Sequence, residues 1–593
     1  MSGPVWLEKT DRCGADKQRP PCEVQKRLDF GISRGLRAAA PALYAFLIAI
    51  LAPCLGLEQA VADSGKKAKT GNFHSIGQPT VEEQYYVELI NRARANPKAE
   101  GVRLAQSTDS DVVSSYKAFD VDLSKMKAEF GTLSAMPPLA INAKLTSAAR
   151  GHSSDMFKNQ FQGHTGSDNS GIGDRAKKAG YDWQYISENV YSYADSVWHG
   201  HAGFQVDWGE GDGGMQPARG HRVNIHHGSP KEVGVGVVLG RNGDVGPQVV
   251  TQNFGRSKSN TAYITGVAYY DVDKDGFYSP GEGVGNLTVS VSGVSMRALT
   301  ASSGGYAVPV PATKATRKVE FQGGGIVFST NATIAGGKNV KVDLKREYKA
   351  PVPKGPSSLA LGSTGSFSFT PLPGASAHDW SWISETPVKT DAAEDLSRGK
   401  TESAGQYSMI SKAVKNSGSA CYRFAHPVLN RSETFTYSKF FLPGKNASIS
   451  FRSRLGWATQ TQFAKIQVSK DEGKTWQDIY SQAGTGSNGE TPFQQRTASL
   501  GAFEGKSVMI RLNYTMKSGT TAFYQTSNDT GWFVDDLVFI NTGELSTPKF
   551  QRVSGKKISF VPPSAGSFHL AIRPVLPGGA WSFGPLVKVT VKK

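Results

Sequence analysis

The chain has 593 residues, of which 38% are apolar and 20% charged, with 66 glycines and a formal charge of +17. That length exceeds what one hydrophobic core supports and points to three or four domains. The composition excludes a disordered chain, the 29 Phe and 20 Tyr with the glycines favour strand-and-turn domains, and a lone long apolar stretch near the N-terminus excludes an integral membrane protein.

That stretch, residues 36–57 (LRAAAPALYAFLIAILAPCLGL), follows Arg34 and precedes Ala60-x-Ala62. It carries the basic, apolar and small-residue regions of a secretory signal, and cleavage before Asp63 is expected. The leader ahead of it is unusually long. A retained membrane anchor is one alternative, since a span needs ~20 residues. A lipoprotein box at Leu51-Ala52-Pro53-Cys54 is another, with Pro53 a poor fit. Removal of residues 1–62 takes away eight basic and six acidic residues and leaves +15. It also leaves Cys421 as the one cysteine, so stability must come from large cores or metal ions rather than disulfides. The basic residues are dispersed, which speaks for a solvated surface and against a nucleic-acid partner.

Residues 63–79 read as a polar linker. Thr80-x-x-Glu83 is a capping box, and Val81, Tyr85 and Leu89 continue a helix that Asn96-Pro97 stops. A second helix spans about 142–159, with Leu145, Ala149, His152 and Met156 on one face, which makes His152 a packed, hydrogen-bonded core histidine. EVGVGVVL and PQVVTQNFG are strands, so residues 80–256 form a mixed α and β domain. From 262 to 346, short alternating segments such as YITGVAYYD, LTVSVSG and NVKVDLK give a β-sandwich. A Pro/Gly/Ser linker at 347–358 precedes a β-rich block at 359–545, and residues 546–593 read as a fibronectin-like segment. SFSFTPLPGASAHDWSWI (366–383) has the same texture as that last segment, so the block between them has the alternative of interrupting one domain.

Four phrases in the first domain, RGHSSDM (150–156), GHTG (163–166), SENV (187–190) and RGHRVNI (219–225), follow the INRARANP helix. In order and spacing they resemble the CAP superfamily, in particular its bacterial SCP-like secreted members. The resemblance implies an α-β-α sandwich with an open cleft of two His and two Glu. Carried over by motif, these are His164, Glu188 and His221, with Glu210 as the fourth member and Asp207 and Asp212 as rivals. Such a set suits Zn²⁺ or a similar cation, and equally a hydrogen-bonded network without metal. A hydrolytic centre with Glu188 as general base is the third option, although HExxH, GxSxG and a Cys/His pair are all missing.

Asp271-Val-Asp273-Lys-Asp275-Gly276-Phe277-Tyr278-Ser279-Pro-Gly-Glu282 matches the twelve-position calcium loop D-x-D-x-D-G-x₅-E. Asp271, Asp273, Asp275, Ser279, Glu282 and the carbonyl of Phe277 are the expected Ca²⁺ ligands, Glu282 closing the shell bidentately. The alternative is a solvated acidic turn. Strands flank the loop, and with its GEGVGNLTVSVSG tail it resembles the calcium-binding B repeats of bacterial surface adhesins, where calcium stiffens a spacer.

In the 359–545 block, Ser469-x-Asp471-x-Gly473-x-Thr475-Trp476 matches the Asp-box hairpin turn, which carries no chemistry. GWFVDDLVF (531–539) resembles the closing strand of MAM-like jelly rolls and carbohydrate-binding modules. Asp535 or Asp536 is a calcium candidate there, and Trp380, Trp382, Trp457, Trp476 and Trp532 are candidates for stacking on sugars or, for most, for core packing. The fold class expected is a multidomain chain: an α-β-α CAP domain followed by all-β sandwich and jelly-roll domains. The function expected is a secreted modular cell-surface or matrix protein that binds a glycan, lipid or protein ligand, with no membrane span after cleavage. A secreted metal-dependent hydrolase and a structural envelope component are the rivals.

Overall fold

Thr80 opens the first helix, Val81–Ala95, with the reciprocal bonds its sequence predicts: Thr80 Oγ1 accepts from the Glu83 N–H at 3.2 Å, and Glu83 Oε2 accepts from the Thr80 N–H at 2.9 Å. The same buried carboxylate takes a two-pronged ion pair from Arg150 on helix Ala143–Asn159, at 2.7 and 2.6 Å. Asn96 ends the first helix and caps the next, Pro97–Ala105, through a bond from the Ala99 N–H. The computed structural model describes residues 72–593, apart from 260, 404, 406, 429–431, 474, 517–520 and 554. The signal, its Ala-x-Ala motif, Cys13, Cys22, Cys54 and the first part of the 63–79 segment lie outside the described residues.

A four-stranded sheet forms the middle layer of the first domain, in the order Ala140–Ile141, Glu232–Leu239, Gln248–Ser257, Trp183–Ala194. Alternation in EVGVGVVL sorts its two faces. Val233 and Val235 join Tyr86, Leu89 and Ile90 of the first helix in one buried core. On the opposite face, a Cβ at Gly234 or Gly236 would meet the backbone of Leu145, Thr146, Ala149 and Arg150 at 2.1–2.5 Å. Glycine there lets helix Ala143–Asn159 lie directly on the sheet. The result is α-β-α layering. His152, on that helix, is buried and bonds the carbonyl of Gly163 at 2.8 Å.

The adjoining sandwich packs strand Thr261–Asp271, with Gly305–Pro311, Val340–Lys341 and Leu344–Glu347, against a second sheet of five strands. One strand of that second sheet is Phe73–His74, which pairs in parallel with Arg297–Ala298. Residues 63–79 are therefore not simply a linker, and the correction has a local cause: Phe73 and Ile76 are apolar in an otherwise polar run, and Ile76 is buried. The two domains share a core, in which Tyr263, Ala301 and Ala307 lie among the first domain's apolar residues. Tyr263 donates its hydroxyl to the buried Glu232 at 2.9 Å, and Lys341 pairs with the buried Glu88 at 2.8 Å.

The C-terminal boundary at 545/546 also needs correction. Strand Ala377–Pro387 pairs over residues 377–384 with Gly566–Leu576, Gly365–Ser368 pairs with Lys557–Phe560, and Ser358–Ala360 with Val587–Lys592. Phe367, Trp380, Ile558, Phe568 and Val589 bury together. Residues 358–387 and 551–592 thus build one sandwich, and the jelly-roll block is inserted into it. That block sets a sheet ordered Gly399–Glu402, Glu433–Tyr437, Met509–Met516, Gln462–Ser469, Gln477–Ala483 against the sheet containing Phe440–Leu455 and Trp532–Leu545. Aromatic residues from both, including Phe435, Tyr514, Phe451 and Trp532, fill the space between. The Asp-box is the turn of a hairpin, with the Thr475 N–H bonded to Asp471 Oδ1 at 2.8 Å. No described helix is long and apolar enough to cross a membrane.

Candidate functional site

Glu188 sits in the middle of strand Trp183–Ala194, and its side chain is almost wholly buried. A buried carboxylate needs donors to replace water. Arg175, from helix Ile172–Lys178, donates to both oxygens at 2.9 and 2.8 Å. His164 Nδ1 lies 3.1 Å from Oε1. Asn253, with its amide turned so that nitrogen faces the carboxylate, donates to Oε2 at 3.0 Å. His152 lies 3.9 Å away, and burial holds its pKa below the ordinary value despite the pull of Glu188.

His221, on helix Gly220–His226, has a different partner. Its Nδ1 is 2.7 Å from Asp207 Oδ1, and its backbone N–H donates to Oδ2 at 2.9 Å. Glu210 is exposed and takes no part, which corrects its assignment as the fourth cleft residue. The reason is local. Helix Val197–Val206 ends at Asp207 in a left-handed conformation (φ 57°), and Trp208 then bridges Met215, so the tight loop between them carries Glu210 into solvent. Asp212 pairs with Lys125 at the surface. Asn224 bonds the Glu188 carbonyl and Asn189, and Asn189 bonds the carbonyl of His221, which stitches this helix to the strand.

The arrangement is therefore two pairs, His164–Glu188 and His221–Asp207, rather than one shared donor set. Among the described residues, no three His, Cys, Asp or Glu of the cleft have donor atoms mutually within 4.8 Å. A Zn²⁺ ion on Glu188 would have to displace the Arg175 guanidinium, so these residues do not fit a zinc centre.

The family model for CAP, the cysteine-rich secretory protein family, matches residues 87–254. The chain carries a CAP domain. Among solved structures, an extracellular protein containing an SCP domain from Bacillus anthracis str. Ames is 25% identical with a TM-score of 0.17, the match covering 23% of this chain and 38% of that one. This chain thus spans well under half the length of that protein. The K3 cleaved adhesin domain of Lys-gingipain from Porphyromonas gingivalis w83 is 17% identical over 25% of this chain and 96% of its own, at a TM-score of 0.19. A putative carbohydrate binding protein from Bacteroides uniformis ATCC 8492 is 12% identical over 47% and 98%, at 0.11. No curated protein matches the sequence.

Arg175 is the functional neighbour of the CAP cleft that sequence reasoning missed. The available signal was the cost of burying Glu188 on a strand, which requires a cation from somewhere in the same domain.

Beside the CAP domain lies the acidic loop. Oxygens of Asp271, Asp273 and Asp275 all fall within 4.8 Å of one another, and among the described residues this is the one such group. Lys274 (φ 65°) and Gly276 (φ 78°) make the left-handed turns that fold the loop back. The nearest cation is the half-exposed Lys345, 3.8 Å from Asp271. Asp275 is pushed above the ordinary carboxylate range by burial and then by the charges of Asp273 and Asp271. Glu282 does not join the three. It ties the loop's ends, accepting from the N–H groups of Val272 (2.6 Å), Asp273 (3.3 Å) and Ser279 (2.9 Å), and burial pushes it up to about 7. Ser279 donates its hydroxyl to Asp273 at 2.8 Å. Phe277 turns its ring outward from the loop, against Tyr85 and Arg92 of the CAP domain's first helix. An all-oxygen, like-charged set of this kind fits Ca²⁺, and Asp271, Asp273 and Asp275 are the residues that would hold it.

Proposed function

We propose that the chain is a secreted, modular cell-surface or matrix protein. Its CAP domain binds a ligand, its middle sandwich is held by calcium, and its jelly-roll block binds a surface glycan. The observation that favours binding over hydrolysis is the state of Glu188: both of its oxygens bond the Arg175 guanidinium, so it is a poor base for activating water. The signal-like N-terminus supports an extracellular site, and the single cysteine left after cleavage leaves a metal ion rather than an intrachain disulfide to stiffen the chain.

The test uses the full gene product with its own leader. N-terminal sequencing should find a start near Asp63, and the secreted protein should bind oligosaccharides in a glycan array. A peptidase or glycosidase activity that disappears in Glu188→Gln would overturn the reading in favour of a hydrolase.

A further inference from the structure

We infer that one end of the jelly-roll block is a stacking platform for a neutral β-linked polysaccharide, centred on Trp457 and Tyr524. This deepens the glycan part of the proposed function and rests on it. The starting point is which of the tryptophans is available. Trp532 is buried and bonded to Ser453 Oγ at 2.9 Å, Trp380 is in a core, and Trp382 packs on Phe560 and Phe568. Trp476 bonds Gly473 O and lies under the Arg511 guanidinium at 4.2 Å. Trp457, by contrast, is 37% exposed. Its indole meets Phe523 edge-on with centroids 5.2 Å apart, and the next residue, Tyr524, is 59% exposed.

These rings stand where three loops converge. Trp457 N–H bonds Asp529 O at 2.7 Å, Thr459 Oγ1 bonds Thr521 O at 3.1 Å, and Gly486 N–H bonds Ala458 O at 2.9 Å. The loops 456–462, 484–490 and 521–530 read GWATQTQ, GTGSNGE and TAFYQTSNDT, without one basic residue. Their two acids are already paired, Glu490 with Arg496 at 2.5 Å and Asp529 with Arg454 at 3.3 Å. Arg423 reaches the last of these loops and spends its guanidinium on the carbonyls of Thr526 and Ser527, so among the described residues the three loops present no cluster of free basic side chains of the kind a nucleic acid, an anionic lipid or an acidic glycan needs. Exposed amides on the same three loops, Gln460, Asn488 and Gln525, add uncharged donors and acceptors.

Aromatic faces ringed by uncharged donors and acceptors match a pyranose chain whose hydroxyls are equatorial. Its axial C–H groups form an apolar face for the indole and phenol, and its rim of hydroxyls meets the amides. The two exposed rings are the groups whose removal should matter most.

The full secreted chain is titrated with cellohexaose, xylohexaose and chitohexaose, and with heparin as a polyanion. The expected result is binding of at least one neutral hexasaccharide, weakened about tenfold or more in Tyr524→Ala and in Trp457→Ala and less in Trp457→Phe, with unchanged melting temperature for Tyr524→Ala. Because Trp457 packs on Phe523, the more exposed Tyr524 decides the case if Trp457→Ala unfolds. Undiminished binding in Tyr524→Ala and Trp457→Phe overturns the platform and leaves the glycan reading standing. Binding of heparin alone overturns the neutral platform and leaves the glycan reading standing, whereas binding of none of these sugars overturns both.

Discussion

Trp581 donates its indole N–H to the carbonyl of Gly281 at 2.8 Å, joining residues 300 positions apart. Gly281 belongs to the acidic loop, and Trp581 follows a tight hairpin of the C-terminal sandwich. The indole also packs edge-on against Tyr270 and Tyr348, with centroids 5.9 and 5.1 Å away. On the loop's other side, the Arg92 guanidinium of the CAP domain lies 4.7 Å from the centre of the Phe277 ring. The loop is therefore wedged between two further domains, and whatever orders it acts on all three.

Calcium should raise the melting temperature of the full chain after EGTA treatment. Mass action gives about 2.7 kcal/mol when calcium stands a hundredfold above its dissociation constant. Asp273→Asn removes one of the three converging carboxylates and should abolish most of that shift. An equal shift in the variant would show that calcium acts elsewhere.

Trp581→Phe keeps a ring for Tyr270 and Tyr348 but deletes the bond to Gly281. The expected cost is roughly 1 kcal/mol, the net value of one such bond. Urea unfolding followed by intrinsic fluorescence measures it, and no loss would mean the Gly281 carbonyl is equally well served by water.

Arg175→Met should destabilise the CAP domain by about 3–5 kcal/mol, because it leaves the buried Glu188 charge without its guanidinium. The double variant Arg175→Met, Glu188→Met removes both charges and should recover most of that loss. If the single and double variants unfold at the same urea concentration, the pair is not what holds this part of the cleft.

His226 provides a pH test. It is buried, bonds Gln205 Oε1 at 3.0 Å and lies edge-on to Phe130. Burial, then the nearby Arg94, Arg222 and His201, pull its pKa down to about 3, with Glu100 opposing. The unfolded chain, with an ordinary histidine near 6.5, takes up the proton first. Stability is therefore full above about pH 6.5 and is lost as pH falls toward 3, by about 2 kcal/mol at pH 5. His226→Gln should flatten the difference between urea midpoints at pH 7.5 and 5.0 relative to the wild type. A wild-type slope retained in the variant would assign it to other groups.

What the sequence by itself determined is what depends on neighbours within a few positions. The Thr80–Glu83 box, the strand EVGVGVVL, the turn of D-x-D-x-D-G and the Asp-box hairpin each rest on short-range bonds or on a face that alternation specifies. The four phrases marked the CAP domain for the same reason, since they keep fixed spacing along single elements. Tertiary structure decided who meets whom across elements. Glu188 is neutralised by Arg175, and His221 pairs with Asp207 because a left-handed helix end, not the spacing after Trp208, aims that carboxylate. The sequence marks 366–383 as having the texture of the C-terminal segment but does not show that the partner of strand 377–387 is 566–576. A strand's pattern sets its two faces, whereas its partner is chosen by the packing of the whole sheet, and that choice spans a complete inserted domain.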